Sequence, residues 1–466
     1  MFRLLSLLTL LALTIPGSSA LRAVPVHADS SSAALRVSVA DAVQIGMEKS
    51  RRLEIARLDR QMSAEKVREA WSPVLPQIST GVTYTRSLKS SILFFPSGMF
   101  SSTSGADATG FTPINISPDN SGKATVDVRQ SLFNGTALAG IRAAGIVRKI
   151  SEEAYRDAEA EVVSTIRMAY FDALISRAEL QLVRDSIDRW EEARRDTRAM
   201  YRQGVAADID TLKATLSVEN LRPDLIQAES RVSNTLTRLR NAMGLDPSVA
   251  LVLTDSLSVA GTAYPADAQA AWHEALDARP DVRQLELRVR AEREQLSAAR
   301  AERYPMLTAF GELASQTAFN DDTDLGSSAW PVSSSIGLQL SLPIFTGYRI
   351  SAKVEQAKIA RFQAMTRLED LRANVLAEVE VRLSNLREAR RRIDVQSKTI
   401  AMAERSYRIS LLRFREGVGS RLELTDAELQ LNKARTNYLQ AVYDCLRAEV
   451  ELDRSLGRTP VPAPAS

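Results

Sequence analysis

The sequence predicts a mainly α-helical fold with a membrane β-sheet, in which long coiled-coil helices form an α-barrel and short strands contribute to a shared β-barrel. Three observations lead to this prediction: an export-type N-terminus, the same order of elements written twice, and alternating strand segments beside the loops. The 466 residues are 45% hydrophobic and 25% charged, as in an ordinary globular protein. This composition excludes a polytopic helical membrane protein, which needs several apolar segments of about 20 residues.

Composition excludes several other classes of protein. The chain has 60 Lys and Arg against 57 Asp and Glu, so its formal net charge of +3 provides no basic surface for nucleic acid. One cysteine, Cys445, cannot form an intramolecular disulfide, and the two histidines, His27 and His273, form no metal-binding motif. Because phosphate-loop and nucleophile motifs are also missing from the sequence, we expect no catalytic, cofactor-binding or metal site, and no enzymatic activity.

Residues 1–28 have the pattern of an export signal. Arg3 precedes an apolar run from Leu4 to Ile15, and Pro16-Gly17 interrupts it before small residues suited to cleavage after Ala20 or Ala28. The apolar run is shorter than the roughly 20 residues that a membrane-spanning helix needs. The sequence therefore predicts an exported protein that meets a membrane by another route.

The rest of the chain is predicted to consist of two tandem repeats, 29–264 and 265–457, followed by a flexible tail, 458–466. Each repeat has the order helix, strand, loop, strand, very long helix, tight turn and returning helix. The segment Phe133-Asn134-Gly135 corresponds to Phe345-Thr346-Gly347, and Gly204 corresponds to Gly417. We expect a loop over 87–122 and an equatorial linker over 245–264.

The helical patterns cover 39–71 and 267–303, and the longest run from Gly135 to Gly204 and from Gly347 to Gly417. Each of these last two helices would be about 100 Å long at ~1.5 Å per residue. Apolar residues recur along them at alternating steps of four and three, as in Val162, Ile166, Ala169 and Ala173, which predicts coiled-coil packing. Cys445 is expected in the core, and Pro223 should kink the first returning helix.

Period-two alternation predicts strands at about 77–86, 123–132, 306–314 and 335–344. The apolar side chains expected to face lipid are Ile78, Val82, Tyr84, Val126, Val128, Leu338 and Leu340. A half-buried sheet in a soluble domain would show similar alternation, and the export signal and long helices favour the membrane. Four strands cannot close a barrel, and each unpaired backbone group in hydrocarbon costs several kcal/mol. Several copies of the chain must therefore share one barrel.

The sequence resembles the outer membrane efflux protein family, or TolC family, over about 37–457. The resemblance rests on the helix exits at Pro76 and Pro305, the two strand-to-helix junctions and the two glycine turns. It implies a homotrimer with a twelve-stranded β-barrel in outer-membrane lipid and a helical tube in the periplasm. It also implies a periplasmic adaptor and an inner-membrane transporter as partners, in a tripartite efflux pump or a type I secretion system. The alternative is a periplasmic coiled-coil adaptor or scaffold without a barrel, which would explain the heptads but not the strands.

The same resemblance implies two functional regions near the turns. Adaptor contacts are expected at Arg202, Gly204, Val205, Arg415, Gly417 and Val418, although the glycines would also serve as turn formers alone. A periplasmic gate is expected at Glu423 and Asp426, with Asp210 as their first-repeat counterpart, although these side chains could also form a solvated helix face. Gly419 stands where a family member can pair a basic residue with the gate, and Arg421 lies nearby.

Overall fold

The computed structural model describes residues 34–89, 92–96, 111–115, 118–259, 264–265, 267–321 and 328–459. The predicted signal peptide and the tail from residue 460 lie outside the described residues. The chain divides into two compact units. The sheet unit contains Val67–Arg142 and Glu294–Ala357, and the helical unit contains the described residues of Ser30–Lys66, Ala143–Arg293 and Lys358–Ser466.

The helices and strands are numbered here in chain order. The helices are α1 (Val39–Lys49), α2 (Arg51–Trp71), α3 (Gly135–Arg202), α4 (Asp208–Glu219), α5 (Arg222–Ala242), α6 (Ala268–Ala278), α7 (Pro280–Ala301), α8 (Arg349–Arg415) and α9 (Arg421–Ser455). The strands are β1 (Leu35–Val37), β2 (Gln77–Arg86), β3 (Ile92–Pro96), β4 (Phe111–Asn115), β5 (Asn120–Phe133), β6 (Leu251–Leu253), β7 (Met306–Phe319) and β8 (Val332–Ser341). The fold is mainly helical, as the sequence predicts.

The sheet unit contains a four-stranded antiparallel sheet in the order β2-β5-β7-β8. Every strand is joined to a helical segment at the same end of the sheet, where Gln77, Arg129, Phe310 and Gly337 lie in register. Loops join the strands at the opposite end. Within the described part of the chain, β2 and β8 have no partner strand on their outer sides.

The observed strands differ from the predicted limits at their ends. β7 continues five residues beyond the predicted end at 314, because Ser315 to Phe319 pair with Ala124 to Asn120. β8 covers Val332–Ser341 instead of 335–344. It ends before Leu342-Pro343 because proline lacks an N–H and restricts the residue before it.

The predicted loop over 87–122 contains a second hairpin, in which β3 pairs with β4. The segment Ile92-Leu93-Phe94-Phe95-Pro96 has apolar residues at successive positions, so it gives no period-two signal. Sequence alternation could not identify it as a strand for that reason.

The helical unit is held together by two apolar clusters. In the first, Ile166 and Tyr170 of α3 pack with Val43 of α1 and with Leu239 and Met243 at the end of α5. In the second, the long helix α8 packs against α6 and the returning helix α9, and its fully buried members include Val379, Cys445 and Leu452. The apolar stripe predicted at Val162, Ile166 and Ala173 is buried accordingly.

Helices predicted as continuous are interrupted at specific residues. Ser50 separates α1 from α2 with an extended backbone, and Arg279 does the same before Pro280. Pro223 has a stronger effect than the predicted kink, since α4 ends at Glu219 and α5 begins at Arg222. The predicted linker over 245–264 includes β6, which pairs in parallel with β1.

Candidate functional site

The two helical turns have nearly the same backbone construction. After α3, Gly204 adopts a φ of 74° and the Val205 N–H donates to the Met200 carbonyl at 2.9 Å. After α8, Gly417 adopts a φ of 72° and the Val418 N–H donates to the Arg413 carbonyl at 3.0 Å. These are glycine C-caps, in which a left-handed residue ends the helix while its last carbonyls remain hydrogen-bonded.

The side chains predicted to contact an adaptor differ in their exposure and in their ion pairs. Val205 and Val418 are 70% and 69% exposed, and Arg202 is also exposed. Arg415 instead forms ion pairs with Glu192 and Asp196 of α3, with 3.1 Å between its Nε and Asp196 Oδ2. The hydrogen bonds that Arg415 donates to Glu192 and Asp196 raise the pKa of its guanidinium. Arg415 therefore ties the second turn to the first long helix.

Of the predicted gate carboxylates, Asp210 and Glu423 lie in the first turns of α4 and α9, and Asp426 lies one turn further along α9. Glu423 forms an ion pair with Arg413, with 3.2 Å between its Oε1 and Arg413 Nε. The backbone N–H of Glu423 donates to the Ser420 hydroxyl, which caps α9. Asp210 accepts a hydrogen bond from the Ala207 N–H at 3.3 Å. Among the described residues, Asp426 has no ion-pair partner and its side chain is exposed. The structure thus separates a paired carboxylate, Glu423, from an unpaired one, Asp426.

The sequence analysis does not identify Arg413, the ion-pair partner of Glu423. It lies on α8 just before the second turn, while Glu423 lies just after that turn. Opposite charges on either side of a tight helical turn are brought together when the chain reverses. A basic residue just before the turn and an acidic residue just after it are therefore the sequence pattern that could have predicted this ion pair.

A cleft of about 720 Å³ lies between the two turns within the helical unit. Its lining includes Thr197, Asp210, Phe414, Arg421 and Thr425. Arg421 donates from Nη1 to the Thr197 hydroxyl at 2.9 Å, while its buried Nη2 has no hydrogen-bond partner among the described residues. Burial lowers the pKa of Arg421, and the carboxylate of Asp210 acts in the opposite direction. Gly419 carries no basic side chain, and Arg421 in this cleft supplies a positive charge that interacts with Asp210, one of the predicted gate carboxylates.

A buried polar network connects α3 to α9 further from the turns. Arg189 Nε donates to Glu428 Oε1 at 2.8 Å, and these side chains are only 17% and 3% exposed. Asn432 donates to the Ser186 hydroxyl at 2.6 Å and accepts from Arg189 at 2.8 Å. Because the network joins the long helix of one predicted repeat to the returning helix of the other, it fixes how the two hairpins lie together. The sequence signal was an acidic residue, Glu428, on a buried helix stripe.

The residues predicted to face lipid lie on one face of the four-stranded sheet. The register pairs Ile78 with Val128 and aligns Val126 with Leu313, and it places Leu338 opposite Ala309. The exposed apolar members of this face are Ile78, Val82, Tyr84, Val126, Val128, Leu313, Val332, Ile336, Leu338 and Leu340. Leu313, Val332 and Ile336 extend the predicted set.

The opposite face of the sheet is polar and charged. It carries Gln77, Thr125, Asp127 and Arg129, and Lys123 forms an ion pair with Glu312 at 3.2 Å. One face is therefore suited to a hydrocarbon environment and the other to water.

The described residues contain neither a cluster suited to a metal ion nor a helix suited to span a membrane. No group of His, Cys, Asp and Glu side chains is arranged to hold a metal ion. None of the described helices combines the length and the apolar character needed to cross a membrane.

Comparison with known proteins gives consistent matches. The family model described as "Outer membrane efflux protein" matches residues 43–245 and 271–458. Outer membrane protein TolC of Escherichia coli (strain K12) is 22% identical over 421 residues, covering 86% of this chain and 78% of TolC. The probable efflux pump outer membrane protein TtgC of Pseudomonas putida is 25% identical over 316 residues, covering 66% of this chain and 62% of TtgC.

Solved structures agree with these sequence matches. The structure of the outer-membrane channel OprN superimposes with a TM-score of 0.72 at 19% identity, covering 91% of both chains. At this level of identity the match establishes the fold.

Proposed function

Because this chain belongs to the outer membrane efflux protein family, we propose that it assembles as a homotrimeric channel and serves as the exit duct of a tripartite pump. Members of the family are outer-membrane channels, and this protein is located in the outer membrane. In the proposed trimer, each copy contributes the strands β2, β5, β7 and β8 to a twelve-stranded barrel. The long helices continue as a tube in the periplasm.

The observation that carries this proposal is a four-stranded sheet with one apolar face and two open edges. Exposed Val82 and Ile336 on that face would be costly in water but favourable in lipid. In hydrocarbon, the unpaired edges of β2 and β8 would each cost several kcal/mol per backbone group. Pairing β2 of one copy with β8 of the next removes both costs.

Exposed aromatic side chains support a membrane position for this sheet. Trp71, Tyr304 and Phe345 are exposed near the helix-linked end, and Tyr84 and Trp330 lie near the loop end. Outer-membrane barrels carry aromatic girdles at both lipid–water interfaces. A periplasmic coiled-coil scaffold, the alternative function, would leave this arrangement without an explanation.

The turns are the proposed site for the periplasmic adaptor, which in turn would join an inner-membrane transporter. The side chains available there are Arg202, Val205 and Val418, placed by Gly204 and Gly417, whereas Arg415 supports the turn through α3. Glu423, Asp426 and Asp210 are the proposed gate residues. The name of TtgC refers to an efflux pump, which favours efflux over protein secretion for this chain.

The proposal is tested by expressing the full chain in a bacterium that lacks its own outer-membrane efflux channel. We expect the protein in the outer-membrane fraction, and a detergent-solubilised particle with the mass of three chains. A variant with Val205→Asp and Val418→Asp should retain this assembly but lose co-purification with the adaptor, and Glu369→Gln on α8 is the control. A soluble periplasmic monomer would refute the proposed function.

A further inference from the structure

The hairpin formed by β3 and β4, here called the rim hairpin, exposes large apolar side chains. The register places Ile92, Phe94 and Phe111 on one face of the ribbon and Leu93 on the other. Phe94 and Phe111 are 65% and 68% exposed. A two-stranded ribbon alone is at best marginally stable in water, so this aromatic face needs a covering partner.

The rim hairpin lies beyond a polar boundary at the loop end of the sheet. Asp321 pairs with Arg86 at 2.9 Å and accepts from Asn120 at 2.8 Å. Asn120 also accepts from the Tyr84 hydroxyl at 2.6 Å, and the Ser87 N–H donates to the Asp119 carbonyl at 2.8 Å. This cluster of charged and amide groups favours water, so we place it outside the apolar band that the sheet presents to lipid. Hydrocarbon is therefore a poor candidate to cover Phe94 and Phe111.

The position of the rim hairpin in the chain favours a second copy as the covering partner. β2 is an edge strand, and the rim hairpin begins six residues after its end, at Ile92. In the proposed trimer, on which this inference rests, β2 lies at the junction with the next copy. Each junction between two copies therefore has the aromatic face of one rim hairpin beside it, at the loop end of the barrel.

We propose that the aromatic faces of the rim hairpins pack against one another between copies at the outer end of the barrel. Ile92, Phe94 and Phe111 form this contact, and Leu93 points away from it. Packing between copies buries the aromatic side chains that a single copy leaves in water.

The test uses cysteine crosslinking of the assembled full-length protein in a Cys445→Ser background. Phe94→Cys should give several-fold more crosslinked chains with a short bifunctional maleimide than Leu93→Cys, the matched control on the opposite face. After denaturation in urea, both variants should react fully with a monofunctional maleimide, which shows that each thiol is intact. Equal crosslinking at the two positions, or none at Phe94→Cys despite full labelling, would overturn the inference.

Two further measurements separate this inference from the proposed function. A monomeric mass before crosslinking would refute the proposed function itself, whereas a trimer without Phe94→Cys crosslinks refutes only the hairpin contact. Quenching of a fluorophore at Phe94→Cys by brominated lipid would assign the face to the membrane and overturn the inference.

Discussion

Neighbouring residues on β5 face opposite environments in the proposed channel, which gives a direct test at the residue scale. Val126→Arg places a charge on the apolar face and should cost about 2–4 kcal/mol near the bilayer midplane. Thr125→Arg, on the polar face, should assemble normally. The yield of assembled trimer in the outer-membrane fraction measures both, and similar yields would contradict the face assignment.

The proposed gate carboxylates should differ in their contributions to cation binding. Arg413 already compensates Glu423, whereas Asp426 is exposed and unpaired among the described residues. Asp426→Asn should therefore weaken block by polyvalent cations more than Glu423→Gln does. Planar-bilayer recordings with increasing cation concentration test this order, with Glu369→Gln as a control, and a reversed order would return Asp426 to the role of a solvated residue.

Two glycines with similar backbone angles should tolerate alanine differently. Gly204 has a φ of 74° and open space around an added Cβ, so Gly204→Ala should cost about 1–2 kcal/mol from the left-handed conformation alone. At Gly244, with a φ of 70°, the added Cβ would lie 2.4 Å from the Lys49 carbonyl oxygen. Gly244→Ala should therefore lower the thermal unfolding midpoint further, as measured by circular dichroism, and equal midpoints would contradict the steric argument.

At the scale of elements, the link between α3 and α9 should behave as a buried ion pair. Removing one partner, as in Glu428→Met or Arg189→Met, should destabilise the fold by about 3–5 kcal/mol because the other charge remains buried. The double variant should recover much of that loss. Denaturant unfolding of the four proteins measures the coupling, and additive losses would show that the two side chains act independently.

Elements with a strong period were predictable from the sequence, while those set by single residues or distant contacts were not. The stripe through Val162 and Ile166 has a coiled-coil spacing, and the lipid-facing set through Val82 and Leu338 alternates strictly. The rim hairpin has no such period because both of its faces are apolar. The limits of β7 depend on pairing with β5, which no local pattern encodes.

The sequence predicted the positions of the two turns but not the ion pairs around them. The glycines and carboxylates beside the turns are visible in the sequence. The ion pairs of Arg415 with α3, and of Glu428 with Arg189, join residues more than 200 positions apart. Such contacts depend on how the helices pack, and a local reading of charges cannot identify the partners.

At the scale of the whole molecule, barrel formation should depend on chain concentration. Both edges of the sheet are open among the described strands, so the proposed barrel needs identical neighbours to close, whereas a self-contained barrel would fold in a unimolecular reaction. Refolding from urea into detergent should recover helical circular dichroism at a concentration-independent rate. Appearance of the trimer should accelerate with concentration, and a constant rate would contradict shared closure.

The two returning segments also differ in mechanical stiffness. α9 runs unbroken for 35 residues, whereas α4 and α5 are separated at Asn220 and Leu221. Pro223 cannot supply the N–H that the carbonyl of Glu219 would accept in a continuous helix. A force applied at the turns would therefore bend the first returning segment between α4 and α5, while the second returning segment, α9, stays straight.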